Sequence, residues 1–186
     1  MTHLPAIPAG SNTVNPFLMT DDASRIISFL VDVFGAQDVP EARTLDTDGL
    51  ILHSELRIGD SVITVADRKS DWPFTPGFTQ VYVDDVEATL ARAVDRGARI
   101  VTAPTDFFGD TLARFADPAG NLWWVYRHVP YAAEAGAADA EEWGAAGGEG
   151  AESEDWSAFT SPELEYIHES LVDAMRALRD PRAREV

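Results

Sequence analysis

Residues 78–98 read FTQVYVDDVEATLARAVDRGA. The text is a short β-type run, an acidic pair (Asp84 and Asp85) suited to capping a helix, an amphipathic helical segment, and Gly97-Ala98 as its stop. Residues 14–36, VNPFLMTDDASRIISFLVDVFGA, follow the same grammar, with Asp21 and Asp22 as the acidic pair and Gly35-Ala36 as the stop. The chain therefore contains an internal repeat, and each copy should continue in the same way.

Each does. After the first helix come a weak strand at residues 42–45, a strand at 50–58, a turn at Gly59-Asp60 and a strand at 61–66. After the second come strands at residues 100–104, 112–115 and 122–127, the last two joined by a turn at 117–120. Two βαβββ units follow, an α+β arrangement with a helix on one face of each curved sheet. Placed together, the free faces would enclose a cleft. The alternative is that a free face packs on a partner subunit or on the C-terminal helix and holds no ligand.

The last strand, in residues 117–128 (DPAGNLWWVYRH), places Trp123 and Trp124 side by side. Adjacent strand residues point to opposite faces, so Trp123 is expected beneath the second helix and Trp124 on the free face.

Composition narrows the partners. With 32 Asp and Glu against 14 Lys and Arg, the formal charge is −18, which repels nucleic acid and anionic membrane surfaces. The chain has no cysteine, so disulfides, thiolate metal sites and thiol nucleophiles are excluded. The first residues lack the charged and apolar regions of a signal peptide, and no run is apolar enough to span a bilayer, so a cytoplasmic protein is expected.

Residues 131–160 form a low-complexity stretch rich in Ala, Gly and Glu, read as a flexible acidic linker. Beyond it, Ser161 and Pro162 open a helix over residues 161–180 with an apolar stripe of Leu164, Ile167, Leu171, Met175 and Leu178. That stripe calls for its own domain, a dimer mate or a protein partner.

The ordered motifs NPFLMTDD…FL…VFGA, LHSELRIGDSVITVADR, QVYVDDVEATLARAVDRGA and GDTLARFADPAGNLWWVYRH resemble the vicinal oxygen chelate superfamily, which includes glyoxalase I, extradiol dioxygenases and bleomycin-binding proteins. The nearest likeness is to its PhnB-like branch. The resemblance covers residues 12–129, in modules of about 12–69 and 78–129. It implies a cup-shaped fold, homodimerisation, and, in metal-dependent members, one divalent ion held by His, Glu or Gln side chains. The corresponding positions in this chain fall at Asn15, Thr64, Phe78 and Trp124. A neutral amide, a hydroxyl and two aromatic rings make a poor ligand set, so no metal or other cofactor is expected.

The lead reading is a binding protein whose cup is walled by Phe17, Phe78, Tyr82, Trp124 and Tyr126 and pinned by Asn15, Thr64 and Gln80. It would hold or sequester a small aromatic or cationic molecule without metal. The alternative is a metal-dependent lyase, isomerase or dioxygenase acting on a small oxygenated metabolite. His53 and Glu55, two apart on one strand face, are the weak catalytic candidates for it, against the plainer reading of a solvent-exposed polar pair. A third reading has the aromatic residues Trp143, Trp156 and Phe159 and the C-terminal helix dock another protein. Whether the chain is an enzyme stays open on sequence alone.

Overall fold

The structure is a computed structural model describing residues 7, 8, 10–130 and 161–183. The acidic linker, with Trp143, Trp156 and Phe159, lies outside the described residues.

The first module runs β1 (Phe17–Thr20), α1 (Ala23–Phe34), β2 (Gln37–Leu45), β3 (Ile51–Ile58) and β4 (Ser61–Asp67). The second runs β5 (Phe78–Tyr82), α2 (Val86–Asp95), β6 (Arg99–Phe107), β7 (Asp110–Ala116) and β8 (Leu122–Arg127). A final helix, α3, spans Pro162–Ala177. The sheets share one topology, β1-β4-β3-β2 and β5-β8-β7-β6, in which the first strand of each module lies parallel to the last. The expected α+β pair of βαβββ modules is what the chain forms.

Local chemistry sets the helix ends as the acidic pairs suggest. The Asp22 carboxylate accepts the Arg25 N–H at 2.9 Å and the Asp85 carboxylate accepts the Ala88 N–H at 2.9 Å. At the end of α1, Gly35 turns left-handed at φ 65°, and its N–H donates back to the Val31 carbonyl.

Three boundaries differ from expectation. β1 begins at Phe17 rather than near residue 14, because Pro16 has no N–H to give a ladder and the Asn15 amide turns back to the Asn12 carbonyl at 2.9 Å. β2 and β6 are longer than their weak sequence signals. Each contains a proline, Pro40 or Pro104, which an edge strand tolerates, and each has register shifts nearby.

One core joins the modules. Ile26, Phe29, Leu30 and Val33 of α1 and Val86, Leu90 and Ala93 of α2 bury together with Leu18, Ile63, Val65, Phe115, Trp123 and Val125 from the two sheets. Phe34 meets Trp123 at 5.1 Å between ring centroids and Phe29 meets Phe115 at 5.8 Å. Each fully buried Val, Leu, Ile or Phe among them contributes about 1.5–3 kcal/mol of transfer free energy. Trp123 is wholly buried, as its strand parity requires.

The C-terminal helix settles on the other face of the second sheet. Leu164 and Ile167 pack against Leu112, with Phe107, Trp124 and Tyr126 at the margin. Polar contacts fix its position: the Ala103 N–H donates to the Tyr166 hydroxyl at 2.8 Å, and the Thr102 and Ser170 hydroxyls meet at 2.8 Å. The buried stripe runs through Leu164, Ile167 and Ala174, while Met175 is exposed. Beyond the helix, Arg68 holds Asp180 through two hydrogen bonds of 2.7 and 2.8 Å. Arg182 donates to the Arg68 carbonyl at 2.9 Å. The tail thus ties both modules.

Candidate functional site

Strand pairing places the predicted residues in two groups, one on each sheet. On the first, Phe17 lies beside Thr64, and Thr64 beside Glu55, in one row across β1, β4 and β3. His53 shares that face, its Nε2 3.2 Å from the Glu55 carboxylate, with both side chains more than a third exposed. Asn15 precedes the strand, its amide engaged with Asn12.

On the second sheet the rows run across β5, β8 and β7. Gln80 lies beside Trp124 and Trp124 beside Arg114; Tyr82 lies beside Tyr126 and Tyr126 beside Leu112. Phe78 meets Trp124 edge-on at 6.1 Å, Tyr82 lies 5.6 Å from Tyr126, and the Gln80 amide donates to the Tyr82 hydroxyl at 3.0 Å. Phe78 and Tyr82 are 50% and 61% exposed, whereas Trp124 and Tyr126 slide partly under α3. The aromatic face is therefore half open and half walled by the helix. Among the described residues, no hydrogen bond or ring contact joins the Phe17–Thr64 group to this one.

The residue that sequence reading missed is Arg114. It sits 5.2 Å over the Trp124 ring and is only 5% exposed. Its Nη1 donates to the Ile167 carbonyl at 2.7 Å and to the Thr102 hydroxyl at 3.3 Å. Burial pushes its guanidinium below the ordinary value, opposed by the neighbouring Tyr126 phenol. Tyr126 is in turn pushed up, chiefly by burial. The signal was present: a turn at residues 117–120 pairs Arg114 with Trp124, and a lone arginine between apolar strand residues shares the parity of the free face.

The turn itself is built around a buried carboxylate. Asp117 accepts from the Ala119 and Asn121 N–H groups, from the Asn121 amide and from Trp123 Nε1, all at 2.8–3.0 Å. Burial pushes this carboxyl up and those bonds pull it down. Gly120, at φ 85°, closes the turn. A groove of about 210 Å³ opens between this turn and the end of α3, lined by Gly97, Arg99, Pro118, Gly120, Leu178 and Arg179; none of the predicted site residues lines it.

The donor set does not fit a divalent ion. Strand pairing sets Thr64 beside Phe17, two residues past Asn15, and Trp124 beside Gln80, two residues past Phe78, so each position has a second candidate on the same face. Either register offers amide, hydroxyl and ring, without imidazole or carboxylate. Glu55 and His53 supply one of each, and among the described residues no three His, Asp or Glu side chains group to hold an ion.

Comparison with known proteins agrees with this architecture. An uncharacterized protein of Mycobacterium tuberculosis is 36% identical over 122 residues, which is 59% of this chain and 71% of that one. A glyoxalase/bleomycin resistance protein/dioxygenase family enzyme from Burkholderia phytofirmans superposes with a TM-score of 0.51 at 20% identity, covering 61% of this chain and 95% of that one. Protein PA1353 from Pseudomonas aeruginosa superposes at 0.52 and 17% identity, covering 63% and 98%. Both likenesses concern the fold. The profile of one family matches residues 12–125, the two repeated modules almost in full, and the chain belongs to the Glyoxalase/Bleomycin resistance protein/Dioxygenase superfamily.

Proposed function

We propose that the chain binds or sequesters a small planar aromatic molecule, without metal, against the face formed by Phe78, Gln80, Tyr82, Trp124 and Tyr126. The observation that carries this reading is Trp124. It falls at the position where the resemblance puts an acidic ligand in metal-dependent members, and the Phe78 ring meets it edge-on at 6.1 Å on an accessible edge. Aromatic faces supply large contact area at low entropic cost. Their exposure on β5 is otherwise unfavourable for a solvated surface. The acidic chain favours a cationic ligand at long range, whereas the charge lying against the face itself, Arg114, is positive.

The test is a thermal-shift screen on the full chain, comparing planar aromatics with aliphatic molecules of equal size, since a true ligand stabilises by mass action. Aromatics alone should raise the melting temperature. Phe78→Ala and Tyr82→Ala, both at exposed positions, should weaken that response about tenfold while leaving the unliganded melting temperature in place. An undiminished response in both variants would move the site elsewhere.

The same reading takes the protein as a cytoplasmic homodimer of the PhnB-like branch. The half-exposed Phe17 on the first sheet is then available to a second copy. Sedimentation equilibrium at micromolar concentration tests the dimer. Among the described residues no helix is long and apolar enough to cross a membrane.

A further inference from the structure

The chain treats two buried arginines differently. Arg68, 3% exposed, is given a carboxylate, with both Asp180 oxygens on its two Nη atoms. Arg114, 5% exposed, is given none: its hydrogen-bond partners are the Ile167 carbonyl and the Thr102 hydroxyl, both on Nη1. Its Nε is shielded from water and has no acceptor, and no described residue accepts from Nη2. A buried charge without a counter-charge is costly, and this chain carries 32 acidic residues from which a partner could have been drawn.

The geometry of the unused groups is specific. Nε and Nη2 form the side edge of the guanidinium, the two parallel N–H donors that match a carboxylate. That edge belongs to a group stacked on Trp124, whose ring continues into the open aromatic surface of Phe78, with Gln80 next to it on β5. An anionic head and a planar body would be satisfied by one continuous surface.

We propose that the Nε/Nη2 edge of Arg114, beside Trp124 and beneath α3, binds the carboxylate of a planar aromatic acid. This rests on the aromatic-face reading and names its ligand class. Because Nε is out of contact with water, entry requires α3 to shift. Its apolar seat is Leu164 and Ile167 on Leu112, with Phe107, Trp124 and Tyr126 at the margin.

Isothermal titration of the full chain with 2-naphthoate, 2-naphthylmethylamine and 2-naphthylmethanol separates charge from shape. The acid should bind at least about tenfold more tightly than the amine or the alcohol, a charge-assisted pair being the difference. Arg114→Gln should erase that preference. Arg114→Lys, which keeps the charge and loses the side fork, should retain only part of it and serves if the glutamine variant does not fold. Equal binding of the three by the natural chain, or an acid preference unchanged in both variants, overturns the proposal and leaves Arg114 as a strut for α3. If binding of all three is then lost in Trp124→Ala, the aromatic-face reading survives; no binding of any by the natural chain removes both. Inorganic phosphate binding as tightly as naphthoate overturns the aromatic-acid assignment in favour of a plain anion site.

Discussion

Trp123 and Trp124 show how one residue step decides between stability and ligand contact. Trp123 is fully buried among Phe34 and Phe115, and its Nε1 donates to Asp117 at 3.0 Å. Trp123→Phe keeps most of the packing but removes one donor from a buried carboxylate, which should cost about 1–2 kcal/mol in urea unfolding. Trp123→Ala adds a cavity and should cost about 3–5 kcal/mol. A phenylalanine variant as stable as the natural chain would mean that the Asp117 turn does not depend on the indole. Strand parity alone separated the two tryptophans in the sequence, because a period of two tolerates no ambiguity once the strand is located. Arg114 escaped because its meaning is cross-strand: only pairing with Trp124 and cover by Ile167 turn an ordinary strand arginine into a buried cation without a carboxylate.

At the level of elements, α3 was legible as a helix but not in its destination. Ser161 caps it, its hydroxyl accepting the Leu164 N–H at 3.3 Å, and Pro162 opens it, as the sequence implied. Its seat depends on polar partners 50 or more residues away, Thr102 and Arg114, which no local pattern announces. The tail beyond it is latched by Arg68 and Asp180. The Arg68 hydrogen bonds hold the Asp180 carboxyl below the usual carboxylate range, aided by the Arg182 N–H and opposed by burial. A depressed folded-state value contributes stability above the unfolded value, near 4, and loses it as pH falls through the lower folded value. Asp180→Asn should therefore cost about 2–3 kcal/mol at neutral pH, because it leaves Arg68 buried with a weakened partner. The gap in melting temperature between variant and natural chain should stay flat from about pH 6 to 8 and close below about pH 4. A gap that widens in acid would show that Asp180 is not the titrating partner. Ser161→Ala should cost about 1 kcal/mol, read as faster amide exchange in the first turn of α3 with β8 unchanged.

Across the whole molecule the two modules are built alike and used differently. Their topology repeats strand for strand, and the repeat in the sequence predicted it, because helix caps and tight turns are local signals. The asymmetry was not legible. It arises from which free face α3 covers, and it leaves the first sheet with a row of exposed Phe17, buried Thr64 and half-buried Glu55, with His53 on the same face. If this face held a metal through His53 and Glu55, the family's usual chemistry would return by a different route. Two protein ligands on an exposed edge make a weak site, and Thr64 and Phe17 add no anionic or imidazole donor. Adding Mn²⁺, Zn²⁺ or Ni²⁺ at about 0.1 mM should therefore leave the melting temperature unchanged. A site of about 1 μM affinity would add about 2.7 kcal/mol at that concentration, well within reach of a thermal scan. A metal-dependent rise in melting temperature that disappears in His53→Ala would place a catalytic centre on the first sheet and reopen the lyase or dioxygenase reading.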